Sequence, residues 1–169
     1  MDRIIGWFAM KRKVLFLDVD GVLNHHRCMC KGIDIDPECV LLLNEVLKRV
    51  PEVDIVISSV WRANGVEKMS FLLESTGLNQ GKRIEHNDSD NMRDWVFHDR
   101  IIGTTGKYQS PRGLEIQEWL DAHPEVERFV ILDDDSDMLD EQLPFFVQTS
   151  TDTGLLPHHV DDIVKILEG

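Results

Sequence analysis

The feature that most constrains the fold is an apolar run that ends in two acidic residues. Residues Val14–Leu17 are all apolar, and Asp18, Asp20 and Gly21 follow them closely. Four consecutive apolar residues favour a parallel β-strand that is buried on both faces. Both acidic residues would then stand at the carboxyl end of that strand, where open α/β sheets bind their ligands. Because residues i and i+2 leave a strand on the same side, both carboxyl groups are expected to reach one substrate.

The rest of the chain alternates strand-like and helix-like segments. Further strand-like segments lie at residues 53–57, 101–103, 129–132 and 145–147. Helical spacing of apolar residues marks segments at about 36–50, 65–76, 111–123 and 160–167. Asp36 followed by Pro37 is a typical helix start, and Gly77 is a typical helix stop. This alternation predicts an α/β, Rossmann-like fold in which helices flank both faces of a parallel sheet.

Length and composition indicate one ordinary globular domain. The 169 residues suit a single domain over residues 1–169, with an N-terminal extension at 1–12. Residues 79–109 have a weaker pattern and form either a small insertion or a long connection. The apolar runs are all shorter than a membrane span, so we expect no membrane partner. Three cysteines are few and odd in number, which predicts a reducing, cytoplasmic compartment.

The charge balance limits the kinds of partner. A formal net charge of -13 argues against a broadly basic surface for nucleic acid, although a local basic groove remains compatible with it. The loop after the first strand carries a separate group of metal-ligand types. Their spacing fits no closed zinc pattern, so the role of these side chains stays open. A mobile loop that covers the mouth of a site is the favoured interpretation of this segment. They are His25, His26, Cys28 and Cys30.

The predicted topology brings distant residues to one edge of the sheet. Asp18, Ser58 and Asp133 each follow a predicted strand, so their side chains should meet there with further acidic residues. Packed carboxylates repel one another, and a bound cation resolves that repulsion. Oxygen ligands select a hard ion such as Mg²⁺. A cation, a hydroxyl and a basic side chain together suit a phosphate, and the basic candidates are Arg62, Lys107 and Arg112.

This constellation predicts phosphoryl chemistry with distinct roles for the first two acids. Asp18 is placed to attack phosphorus in line, which would give an aspartyl-phosphate. Asp20 is placed to protonate the leaving oxygen and later to take a proton from the hydrolytic water. The acids after the strand at 129–132 would anchor the metal ion.

Four segments in this order resemble the signatures of the haloacid dehalogenase (HAD) superfamily of phosphohydrolases. The first is Phe16–Asn24, the second is Ile55–Ser58, the third is a basic residue, and the fourth is Val130–Asp134. A narrower similarity is to a capless HAD branch that is associated with RNA-repair proteins. It implies little or no cap, and the strings that carry it are Ser58–Arg62, Arg112–Leu120 and Ile131–Asp137.

The resemblance implies a role for each matched position. Asp18 is implied as the nucleophile, and Asp20 as the general acid and base whose backbone carbonyl also binds the metal. Asp133 is implied as a metal ligand, which Asp134 supports directly or through water. Ser58 matches the phosphate-binding hydroxyl, with Ser59 as the weaker alternative.

The basic residues leave two alternatives open. Arg112 is the preferred third-motif base because a cation at a helix start is unfavourable to the helix dipole, which suggests a functional reason for it. Lys107 is the reserve. Arg62 either binds phosphate or caps a strand-end turn.

The sequence therefore predicts a Mg²⁺-dependent phosphatase that hydrolyses a phosphomonoester through an aspartyl-phosphate. The expected substrate is a phosphorylated small molecule, such as a mononucleotide, or the 3′- or 5′-phosphate of a nucleic-acid end. The alternative is a non-catalytic module of the same fold that binds a phosphorylated partner. The oligomeric state is left open.

Overall fold

The computed structural model describes residues 11–78, 99–106 and 110–169, and it has a parallel sheet between layers of helices. The strands are β1 Arg12–Leu17, β2 Val53–Ile57, β3 Ile101–Thr104, β4 Val126–Asp133 and β5 Phe146–Gln148. The helices are α1 His26–Met29, α2 Pro37–Arg49, α3 Val66–Leu78, α4 Arg112–Ala122 and α5 Pro157–Glu168. Short 3₁₀ turns cover Val60–Asn64 and Asp140–Phe145. The predicted α/β, Rossmann-like fold is confirmed.

The sheet places the acidic strand at its centre. The strand order is β3-β2-β1-β4-β5, and every neighbouring pair runs parallel. Leu17, the last residue of β1, lies opposite Ile57 on β2 and Leu132 on β4. The residues that follow these three positions therefore lie side by side at the carboxyl edge of the sheet, where the candidate site is located.

Alternate residues of β1 belong to two separate cores. Leu15 and Leu17 are fully buried in the larger core, which also takes the apolar faces of α2, α3 and α5. Val14 and Phe16 are fully buried in the smaller core against α4. There the ring of Trp119 meets Phe16 edge-on, with ring centroids 5.3 Å apart. Burial on both faces explains why the run has no polar alternation.

Helix boundaries follow local signals at α2 and depart from them at α3. The Asp36 carboxylate accepts a hydrogen bond from the Glu38 amide at 2.9 Å, so Asp36 caps α2 with Pro37 in first position, as predicted. The prediction that Gly77 stops α3 is wrong, because this helix continues to Leu78. Glycine inside a helix costs about 1 kcal/mol relative to alanine, which weakens the helix at that position without excluding the helical conformation.

Several predictions concern residues that lie outside the described part of the chain. These are the N-terminal extension up to residue 10, the reserve base Lys107, and most of the interval 79–109. Within that interval, the predicted strand is confirmed as β3, which pairs with β2. Whether the interval covers the site, and whether a cap is lacking, stay predictions. Among the described helices, none has the length and apolarity that crossing a bilayer requires.

Candidate active site

Three carboxylates meet at the carboxyl edge of the sheet. Asp18 follows β1, Asp133 is the last residue of β4, and Asp134 comes next. One carboxylate oxygen from each lies within 4.8 Å of the others. We call these three residues the carboxylate cluster. The meeting of strand ends that the sequence predicted is therefore present in the structure.

Burial and mutual repulsion disfavour the charged forms of the carboxylate cluster. Burial and then the neighbouring charge of Asp18 raise the pKa of Asp133 to about 8, although Arg112 opposes this. Burial likewise raises the pKa of Asp18, and burial followed by the charge of Asp135 raises the pKa of Asp134. Protonation relieves this repulsion in the metal-free protein.

Arg112 supplies the positive charge beside the carboxylate cluster. Its Nη1 lies 3.3 Å from Asp18 Oδ1, and its Nε lies 3.4 Å from Asp133 Oδ2. Nη1 also donates to the backbone carbonyl of Ser58. The guanidinium therefore joins the ends of β1, β2 and β4. The choice of Arg112 over Lys107 as the third-motif base stays a prediction.

A carboxylate from a neighbouring loop explains how a cation is tolerated at the start of α4. The residue before this helix is Pro111, which offers no side-chain cap. Asp137 Oδ2 instead accepts a hydrogen bond from the Arg112 backbone amide at 2.8 Å. A negative charge at this position offsets the helix dipole. Asp137 thus has a structural role that spacing alone did not reveal.

The two serines after β2 differ in their contacts. The Ser59 hydroxyl donates to the Asp18 carboxylate, and its oxygen accepts a hydrogen bond from the Trp61 amide at 3.3 Å. Ser58 Oγ is buried and has no hydrogen-bond partner among the described residues. Ser58 therefore offers a hydroxyl without a protein partner, whereas Ser59 fixes the predicted nucleophile.

The donor set of the carboxylate cluster fits Mg²⁺. Asp133 Oδ2 is buried and accepts no hydrogen bond from the described residues, because the nearby Arg112 Nε is not aligned with it. A hard cation would satisfy this oxygen and remove the repulsion among the three carboxylates. The predicted contribution of the Asp20 backbone carbonyl stays a prediction.

Asp20 is held by two side chains that sequence reasoning did not connect to it. Asp20 Oδ1 accepts hydrogen bonds from Asn24 Nδ2 at 2.8 Å and from Trp61 Nε1 at 3.1 Å. Asn24 Oδ1 in turn accepts one from the Gly21 amide at 2.9 Å. Asn24 is the last residue of the first signature segment, and this position was the signal from which a role at the site could have been predicted. Trp61 follows β2 and gave no signal that its indole nitrogen faces an acid.

The comparison with known families agrees with this geometry. A family model described as HAD domain in Swiss Army Knife RNA repair proteins matches residues 14–160. The chain belongs to this family. Membership supports a HAD-type phosphohydrolase at the level of the superfamily. Neither a curated protein nor a solved structure matches the chain.

One glycine of this HAD domain is required by the approach of a site residue. Gly21 has a φ of +71°, and a Cβ built there would overlap the carboxylate of Asp134. Both the backbone conformation and the close contact exclude a larger side chain. Gly21 therefore lets the chain turn directly beneath the carboxylate cluster.

Arg62 of the HAD domain forms hydrogen bonds with Glu115 and Thr105. Its two terminal nitrogens donate to the two carboxylate oxygens of Glu115 at 2.6 and 3.2 Å. Nη1 also donates to Thr105 Oγ1 at 2.6 Å. This pair links the turn after β2 to α4 and to the end of β3. The prediction that Arg62 binds phosphate therefore gains no support from the geometry.

The raised pKa of Asp133 predicts an inverse pH dependence of stability in the metal-free HAD domain. Between the ordinary value of 3.8 and about 8, the folded state holds a proton that the unfolded state has released. Stability from this group is therefore present at low pH and is lost as pH rises through this window. We expect the melting temperature in chelator to fall from about pH 5 to about pH 8.

The matched variant is Asp133→Asn, which removes the titrating group and keeps its size. Its melting temperature should depend less steeply on pH over the same range. An unchanged slope in Asp133→Asn would contradict the assignment of this titration to Asp133.

Proposed function

We propose that this HAD domain is a Mg²⁺-dependent phosphatase that hydrolyses phosphomonoesters through an aspartyl-phosphate on Asp18. The observation that carries the proposal is the carboxylate cluster beside Arg112 at the carboxyl edge of the sheet. Mg²⁺ bound by the cluster would neutralise phosphate charge and polarise a phosphoryl oxygen. Pure phosphate recognition would not need three converging carboxylates, because they repel a phosphate when no cation is bound.

The side chains around the cluster support separate roles in the reaction. Asp18 attacks phosphorus, and hydrogen bonds from Ser59 and Arg112 hold its carboxylate in one orientation. Arg112 also supplies positive charge for the phosphoryl oxygens. The Ser58 hydroxyl, which lacks a partner among the described residues, donates to a phosphoryl oxygen.

Asp20 supplies the proton that the leaving oxygen requires. Its hydrogen bonds from Asn24 and Trp61 converge on one oxygen and thereby set the direction of the carboxyl group. The leaving oxygen takes a proton from Asp20 as its bond to phosphorus breaks. Asp20 then accepts a proton from the water that hydrolyses the aspartyl-phosphate.

The family description favours phosphate groups of nucleotides or of nucleic-acid ends as substrates. The matched family is described by its occurrence in RNA repair proteins. We infer from this description that RNA ends with a terminal phosphate belong among the candidate substrates. The net charge of -13 disfavours a long polyanion unless a local basic surface offsets it. We therefore place short 3′- and 5′-phosphorylated oligoribonucleotides beside mononucleotides as the substrates to be compared.

The proposal is tested by release of inorganic phosphate, first from an aryl phosphate and then from these oligonucleotides and mononucleotides. We expect turnover with Mg²⁺ on at least one phosphomonoester. Folded protein that binds a phosphorylated member of the panel and hydrolyses none of them would favour the non-catalytic alternative instead.

Trp61→Phe is expected to slow catalysis by about tenfold in kcat with little change in KM, because a hydrogen bond contributes about 1 kcal/mol and about 1.4 kcal/mol is tenfold in rate. The substitution keeps an aromatic ring and removes the indole donor to Asp20. Asp20 would then lose part of its orientation without losing substrate contacts. Steady-state kinetics separate these two parameters.

Trp119→Phe is the matched control, because Trp119 packs against Phe16 in the smaller core. Its kcat should stay within about twofold of wild type below the melting transition. Equal kcat losses in the two variants would contradict a positioning role for Trp61.

A further inference from the structure

We propose that His25, Asp36 and Cys39 form a second metal site, which takes a borderline divalent ion such as Zn²⁺. One ligand atom from each of these residues lies within 4.8 Å of the others. None of them belongs to the carboxylate cluster, so the proposal does not depend on the phosphatase reaction. The site follows from residues that the catalytic account leaves unused.

The chain path brings these three ligands together from two elements. Asp36 caps α2, and Cys39 lies three residues further on, so both side chains lie on one side of the helix start. His25 comes from the loop directly after the active-site strand, and its Nε2 lies 2.6 Å from Asp36 Oδ2. All three side chains are at least partly buried. Their burial limits competition by bulk water for the ligand atoms.

A groove opens beside these ligands. His25, Asp36 and Cys39 line this groove of about 1080 Å³, from which water can fill a fourth coordination position. Gly154 packs closely behind two of the ligands, since a Cβ there would lie 3.1 Å from Cys39 Sγ and 3.3 Å from His25 Cδ2. A larger residue at this position would crowd the thiol and the imidazole.

One ligand side chain has a buried ring nitrogen without a protein partner. His25 Nδ1 is buried and has no hydrogen-bond partner among the described residues. The Cys39 thiol donates a long hydrogen bond, of 3.7 Å, to the Leu155 carbonyl. A metal ion would bind the thiolate, and the thiol proton would leave to solvent. Nitrogen, oxygen and sulfur donors together suit Zn²⁺ better than Mg²⁺.

Of the four histidines and cysteines that the sequence places in this loop, His25 alone belongs to the proposed site. His26 Nδ1 lies 2.9 Å from an Asp152 carboxylate oxygen, and Cys28 Sγ donates to the His25 carbonyl at 3.1 Å. Cys30 is exposed. These three residues are outside the His25–Asp36–Cys39 site, which gives the test its controls.

Cobalt(II) titration of the full chain tests the proposal, because Co²⁺ bound to a thiolate gives a near-ultraviolet charge-transfer band. Saturating Mg²⁺ is present so that the carboxylate cluster does not compete for cobalt. We expect the band to saturate at one equivalent of Co²⁺. It should be lost in Cys39→Ser and retained in Cys28→Ser and Cys30→Ser.

The proposal is overturned if folded wild type gives no thiolate band, or if the band survives in Cys39→Ser. Should Cys39→Ser fail to fold, Asp36→Asn decides, because asparagine retains the helix cap and removes the charged ligand. Co²⁺ affinity should fall by about tenfold or more in Asp36→Asn. Unchanged affinity there would also overturn the site.

Discussion

The Asp18→Asn protein is expected to release phosphate at least about a thousandfold more slowly than wild type, because an amide cannot replace a carboxylate nucleophile. The substitution keeps the size of the side chain, and burial disfavours the charge that it removes. The variant should therefore fold, so the loss would be chemical. Initial rates of phosphate release with Mg²⁺ measure the effect.

The matched control for this prediction is Asp135→Asn, which changes an exposed acid two residues beyond Asp133. Only its backbone amide contacts the Asp133 carboxylate, at 3.0 Å, and the substitution retains that contact. Its activity should be close to that of wild type. Wild-type activity in Asp18→Asn, with contamination excluded, would contradict the nucleophile assignment.

Glu115→Ala is expected to lower the free energy of unfolding by about 3–5 kcal/mol, the usual cost of removing one partner of a buried ion pair. The Arg62 side chain is 10% exposed and that of Glu115 is 2% exposed. Removing the carboxylate leaves a buried guanidinium without its bidentate acceptor. Urea unfolding at equilibrium, followed by circular dichroism, measures the change.

Two further variants distinguish the contribution of this ion pair to stability from a general effect of substitutions in α4. Glu118→Ala changes an exposed carboxylate on the same helix and should cost less than about 1 kcal/mol. The double variant Arg62→Met, Glu115→Leu removes both charges and should recover much of the loss. If Glu115→Ala costs no more than Glu118→Ala, the pair does not stabilise the fold as proposed.

The sequence was sufficient to predict the parts of the fold that depend on local pattern. The run Val14–Leu17 is apolar at every position because each position faces one of two cores. The end of this run predicts that Asp18 lies at the carboxyl end of β1. The apolar run before Asp133 likewise predicts that Asp133 lies at the carboxyl end of β4. Once parallel strands alternate with helices, their carboxyl ends must share one edge, so this part of the candidate site followed from topology.

Contacts made across the chain were not predictable from pattern. Arg62 and Glu115 are distant in sequence, and their pairing depends on how α4 packs against the turn after β2. Asp137 caps a helix that begins earlier in the chain, so no local capping signal precedes Arg112. Trp61 reaches Asp20 only because β1 and β2 are neighbours. Such contacts require the strand register and the loop paths.

The metal dependence of phosphate release by the wild-type protein tests the central claim most directly. The account predicts turnover of a phosphomonoester with Mg²⁺, loss of that turnover in excess chelator, and recovery when Mg²⁺ is restored. These results would follow from a carboxylate cluster that must bind a cation before a phosphate can approach. Full turnover of purified protein in excess chelator would contradict the account.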